Sequence, residues 1–214
     1  MLTNHQINFY GRSNFEKYFF DGFASASLNQ YSSSRAIKAV NAQATAKYFG
    51  QTYALKIKSG FVEKLSHGFS FVPEASLNLL HNKIGGYSEK GADTLNLRVA
   101  GVVANFLESR LGANLGWKTK ELAEFPELKD LSATGRISYG YALINNAPAT
   151  LANFSGRSSG FNSQISQIDR GSLKIGVAIE ACHIEETTIS LDYDFEHKAT
   201  SKSHLVALKI RQEF

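Results

Sequence analysis

One cysteine, Cys182, leaves no disulfide framework and no cysteine-built zinc site. Proline is scarce, at 3, which suits strands that run without interruption. No apolar run is long enough for a membrane-crossing helix. The first residues, MLTNHQINFYGRS, lack a basic stretch followed by an apolar core and do not read as a secretory signal, so an exported form takes its signal from elsewhere. His5, His67, His81, His183, His197 and His204 lack metal-ligand spacing. Gly85, Gly86 and Gly91 precede no Lys-Ser/Thr pair, which excludes a phosphate loop. A net charge of +4 without a nucleic-acid motif gives no reason to expect DNA or RNA. The residues therefore call for no metal and no cofactor.

What the sequence has in abundance is alternation. Side chains of a strand point to opposite faces in turn. At the end of the chain Val206, Leu208, Ile210 and Phe214 share one parity, and Lys209, Arg211 and Glu213 the other. Upstream, Ile189, Leu191, Tyr193 and Phe195 oppose Ser190, Asp192, Asp194 and Glu196. Ile175, Val177 and Ile179 oppose Lys174, Gly176 and Glu180, and Ile137, Tyr139 and Tyr141 oppose Arg136 and Ser138. Leu95–Trp117 keeps one parity throughout, as a single long strand or a tight hairpin near Gly101. Phe69–His81 and Tyr53–Lys64 alternate likewise, Tyr18–Gln30 does so with Phe19 and Phe23 out of place, and His5–Arg12 is a stub. That makes about eight strands and a stub. Lys118–Lys129 looks briefly helical until Pro126 cuts it.

Soluble antiparallel sheets also alternate, but three details favour lipid outside and water within. The apolar parity carries almost no charge, and the opposite parity mixes charges of both signs with Gly60, Gly112, Gly116, Gly176 and Ala178, as a crowded polar lumen requires. Aromatics gather near strand ends, at Tyr53, Phe61, Phe69, Phe71, Trp117, Tyr193, Phe195 and Phe214. Polar stretches 31–47, 82–94 and 145–170 read as long loops between short turns. The expected fold is all-β, an antiparallel transmembrane barrel of the outer-membrane type with about 8–9 strands. Its partner is the lipid bilayer. Its lumen is expected to be lined by Lys56, Lys58, Glu74, Arg98, Glu108, Arg110, Arg136, Lys174, Glu180, Asp192, Asp194, Glu196, Lys209 and Arg211.

FFDGFASASLNQY with SSSR, YALKIKSGF, FVPEASLNLL, GYSEKGADTLNLRV, SRLGANLG and the terminal ALKIRQEF follow one another in order over nearly the whole chain. In this the chain resembles the C-terminal translocator domain of autotransporters (type V secretion), most nearly the surface cell antigens of rickettsial bacteria. The resemblance implies a twelve-stranded barrel with a pore helix, exporting an N-terminal passenger to the surface of a Gram-negative cell. It places the chain in the outer membrane as a non-enzymatic domain spanning 1–214, without the family's first strands, pore helix or passenger. Val206, Leu208, Ile210 and Phe214 resemble the family's signal to the barrel-assembly machinery, with Gln212 departing from an all-apolar face. Two other readings stand beside it. One is a complete small barrel whose loops serve as a surface adhesin. The other is an outer-membrane hydrolase using Asp192 or Asp194 with His197 or His204.

Overall fold

A computed structural model describes residues 1–119, 128–146, 148–157, 160–164, 169–183 and 187–212, with backbone alone at 128–129, 164 and 182–183. Of the expected helical stretch 118–129, the ends 118–119 and 128–129 are strand, and its middle, the side chain of Cys182 and Phe214 lie outside the described residues. Fourteen strands follow in order: β1 (Leu2–Phe15), β2 (Tyr18–Ile37), β3 (Ala42–Phe61), β4 (Glu63–Lys64), β5 (Phe69–Ile84), β6 (Tyr87–Ser88), β7 (Leu97–Val99), β8 (Val102–Thr119), β9 (Leu128–Asn145), β10 (Ala149–Phe154), β11 (Gly160–Gln164), β12 (Gly171–His183), β13 (Thr187–Lys198) and β14 (Lys202–Gln212).

The main sheet runs β1-β2-β3-β5-β8-β9-β12-β13-β14, every neighbour antiparallel, with the two-residue β4 beside β5. This is the all-β, outer-membrane type of sheet that the alternation predicts. It is curled. Arg110 of β8 reaches Ser172 of β12 at 2.7 Å over β9, and Arg136 of β9 reaches Asp194 of β13 at 3.0 Å over β12. Alternate strands stand ~10 Å apart in a flat sheet, so side chains that lean together across them mark a concave face. The apolar parity is on the convex one: Leu208 is 66% exposed, Leu191 49% and Ile175 43%. No large side chain among the described residues is fully buried, so this sheet has no soluble-protein core.

The structure corrects the loops. Residues 31–47 form no loop: β2 and β3 continue as a paired ribbon from Tyr31↔Tyr48 to Ile37↔Ala42, closed by a 3-10 turn at Lys38–Val40. Their Ser, Ala and Asn content suggests a loop, but small residues are what the ribbon buries, at Ala44 and Ala46. Parts of the other two expected loops form a second sheet, β11-β10-β7-β6. Leu95–Trp117 is accordingly neither one strand nor a hairpin. β7 pairs with β6 and β10, while β8 pairs with β5 and β9. The break falls where Gly86 and Gly101 meet. A Cβ on either would lie 3.0 Å from the other's backbone nitrogen, so the chain leaving β5 and the chain entering β8 pinch together only without side chains.

Arg98 therefore belongs to β7, opposite Ser88 and Asn153, and not to the wall of the main sheet. Parity carries through Val99 into β8, so alternation alone does not register the change of sheet.

Candidate functional site

The charged face of the main sheet is built by a few side chains that reach across neighbours. At the β1 side Arg12 grips Asp21 through two hydrogen bonds, at 2.6 and 2.9 Å. Lys58 lies between Asp21 (3.8 Å) and Glu74 (3.2 Å), and Asn114 donates to Glu74 at 3.2 Å. In the middle Arg110 holds Glu108 at 3.1 Å and approaches Glu196 at 3.8 Å. Lys174 and Lys198 also face Glu196, at 3.7 and 3.6 Å. Toward β14 Arg136 bridges Asp192 (3.2 Å) and Asp194 (3.0 Å), and Lys209 closes on Asp192 at 3.1 Å.

Two glycines make the long reaches possible. Gly140 lies under Arg110 and Gly176 under Arg136, and a Cβ on either would collide with that guanidinium. Both sit on the charged face, in register with Arg110 and Arg136 respectively. The glycines of the polar parity are thus the floor over which an arginine crosses a strand. A pocket lined by Arg136, Glu180, Asp192, Lys209 and Arg211 with Ser and Thr hydroxyls, about 370 Å³, lies toward the turn side. Lys56 faces a second, of about 320 Å³, with Tyr10 and Phe23.

Of the residues expected in the lumen, all but Arg98 lie on strands of the main sheet at charged-face positions, and most join this network. The expected lining omits Arg12, at the end of the stub, and Asp21, although the alternation of β2 already sets Asp21 on the polar face. It also missed inward apolar residues. Phe19 is buried beneath Arg12 and Lys58, each 5.4 Å from its ring. Phe23, Leu80 and Phe106 share the inner parity too, at positions opposite Lys56, Ala54 and Leu80. Phe19 and Phe23 break the alternation of β2 in the sequence, and that irregularity was the available signal.

The hydrolase grouping is not assembled. Asp192 and Asp194 turn inward to Arg136. His204 is on the outer face, 2.9 Å from the Tyr193 hydroxyl and 5.0 Å from the Phe195 ring. His197 stacks on Phe195 from the same face. One residue of parity separates acids from imidazoles by the thickness of the sheet.

Outward aromatics form two belts. Tyr18 meets Phe61 edge-on at 6.0 Å beside Lys17, and Phe69 pairs with Trp117, all near the short turns. Tyr53 with His81 and Tyr193 with His204 lie toward the other end. Tyr53 to Phe61 spans ~27 Å of strand at ~3.4 Å per residue. A barrel tilt of ~40° reduces that to about 21 Å, close to the ~25 Å apolar band of outer-membrane barrels.

Beyond this band stands the ribbon of β2 and β3, clasped to the second sheet. Arg35 grips Glu89 through two bonds, at 3.2 and 2.5 Å, and donates to the Leu95 carbonyl. The Leu97 amide donates to Glu89 at 2.9 Å. Tyr31, Tyr48 and Tyr87 stack in one column, 5.0 and 4.2 Å apart, and Thr45 and Lys90 exchange both backbone bonds. The Arg35 hydrogen bond, partly opposed by burial, holds the Glu89 carboxyl below its ordinary 4.5. A carboxylate lowered on folding stabilises above its unfolded value and loses that contribution as pH falls through the folded one. Amides of β6 and β7 should therefore exchange slowly at neutral pH and faster as the solution is taken below about pH 4.5. Glu89→Gln should remove that step in hydrogen exchange, and a step persisting in the variant would place its origin elsewhere.

An antiparallel curled sheet, apolar outside between aromatic belts and ion-paired within, defines the wall of an outer-membrane barrel. The model of the family described as autotransporter beta-domain matches residues 2–194, and the chain belongs to that family. A search of curated proteins finds no match. The family is one of translocators rather than enzymes, and its place is the bacterial outer membrane. No helix among the described residues is long and apolar enough to cross a membrane.

Proposed function

We propose that this chain anchors and exports a passenger polypeptide joined ahead of it, its inner face forming part of the conduit. The observation that carries this reading is the ion-paired inner wall. Its charges are spent on each other along the wall, so the face is wetted yet offers a passing chain few unpaired partners to stick to. Lys56, Lys58, Glu74, Glu108, Arg110, Arg136, Lys174, Glu180, Asp192, Asp194, Glu196, Lys209 and Arg211 line the conduit in this proposal. Strands supplied ahead of Leu2 complete the barrel, and residues 1–214 act as one translocator domain. Val206, Leu208 and Ile210, exposed along the lipid side of β14, together with Phe214 present the signal that the barrel-assembly machinery reads. The domain performs no hydrolysis.

A complete small barrel is the weaker reading. Among the described residues nine alternating strands leave β1 and β14 running in the same direction, so direct closure would need a parallel seam. The experiment is a fusion in which a secretory signal, a reporter passenger and the family's preceding strands are joined ahead of Leu2. Reporter cleaved by protease added to intact cells is the expected outcome. Reporter held in the periplasm while the barrel inserts would overturn export and leave anchoring alone.

A further inference from the structure

The outer face is free of charge only within the apolar band. Above it, toward the ribbon, Lys47 and Lys83 stand on the lipid-side parity. Lys47 is opposite Ser32, and Lys83 opposite Gln51 in the row that also holds Leu28. Across the sheet Lys202 stands opposite His197 on the same parity. All three lysines are exposed, and among the described residues none has an acidic partner. Each lies next to the upper aromatic belt: Phe49 shares the face with Lys47, His81 with Lys83, and His204 with Lys202. The acids of these upper segments are largely engaged, Glu89 by Arg35 and Asp169 by Thr200.

A lysine pointing sideways at the edge of hydrocarbon has one favourable place for its ammonium, the headgroup layer, with its stem lying along the apolar surface. The geometry points to a girdle for phosphorylated lipid: Lys47, Lys83 and Lys202 bind the sugar-linked phosphates of the anionic glycolipid in the leaflet on the ribbon side, while the neighbouring aromatics pack against its acyl chains. A soluble polyanion arriving from above would instead meet Lys38 and Arg98, which lie beyond the band on the ribbon turn and the second sheet. The sideways set commits to a membrane lipid. Ammonium and phosphate attract as point charges, and the neighbouring rings supply the apolar contact that a free phosphate lacks.

The test titrates bisphosphorylated and fully dephosphorylated lipid A into the full chain in zwitterionic detergent, with bound lipid counted by native mass spectrometry. The phosphorylated form should bind more tightly. In Lys47→Gln/Lys83→Gln/Lys202→Gln that preference should fall by about 100-fold, at roughly fivefold for each cation near an anionic surface. Binding of the dephosphorylated form should not change. The turn-side triple Lys17→Gln/Lys64→Gln/Lys118→Gln should keep the wild-type preference. Equal binding of the two lipids by the unaltered chain would overturn the girdle even if a triple variant failed to fold, and so would an equal loss in both triples.

Discussion

Leu208→Arg should abolish insertion into lipid vesicles, whereas Ala207→Lys, one residue away, should leave it intact. Leu208 is opposite Leu191 on the convex face, and Ala207 is opposite Asp192 on the concave one. An arginine at the middle of the apolar band costs roughly 2–4 kcal/mol, or about 30- to 1000-fold in the folded-to-unfolded ratio. A lysine at 207 meets the Asp192 carboxylate already held by Lys209 at 3.1 Å. Cross-strand charge pairs contribute roughly 0.2–1 kcal/mol, so the change should stay within about 1 kcal/mol either way. Heat-modifiable mobility after refolding into vesicles reads the folded fraction, and Trp117 fluorescence in urea reads the stability. Equal effects of the two substitutions would mean that the two faces of β14 do not meet different solvents.

That contrast rests on the part of the structure most legible in the sequence. The faces of β9, β12, β13 and β14 could be read residue by residue because hydrocarbon on one side and water on the other impose a period of two, and nothing else competes. Legibility failed where that pressure stops. The ribbon 31–47 is paired along its whole length, yet it stands clear of the bilayer, so its faces divide small buried residues such as Ala44 from polar ones and not apolar from charged. β7 kept the parity of β8 while belonging to another sheet, because parity is a local property and sheet membership is set by partners far along the chain. The lumen was legible as a class of residues but not as a network. That Arg136 serves Asp192 and Asp194 depends on Gly176 leaving a gap over β12, which takes the register of three strands to see. Inward Phe19, Phe23, Leu80 and Phe106 escaped for the opposite reason: an aromatic or leucine at the wrong parity looks like noise until its neighbours across the sheet are known.

β1 amides should exchange about 1000-fold faster than those at the centres of β8 and β9 when this chain alone is held in detergent. β1 pairs only with β2 over its whole length, and β14 only with β13. Each is an open edge among the described residues. An edge opens at little cost, whereas a central strand opens only with a large part of the sheet. In hydrocarbon each unpaired backbone group costs several kcal/mol, so both edges need partners there. Direction restricts what those partners are. β1 enters the band from the ribbon side, as Leu2 opposite Tyr31 shows, and β14 does the same from Lys202 toward Gln212. Two copies related by rotation about the membrane normal keep those directions, so a seam between copies would again be parallel. An all-antiparallel closure needs an odd number of further strands, the first and last of them running opposite to both β1 and β14. Adding three such strands ahead of Leu2 should slow exchange in β1 and β14 together, because one insertion covers both edges. Adding two should leave at least one seam parallel and one edge poorly protected. Protection of β1 in the isolated chain equal to that of β8 would instead mean a parallel seam at β1, closing one chain into a nine-stranded barrel or joining two copies, which the oligomeric state in detergent tells apart.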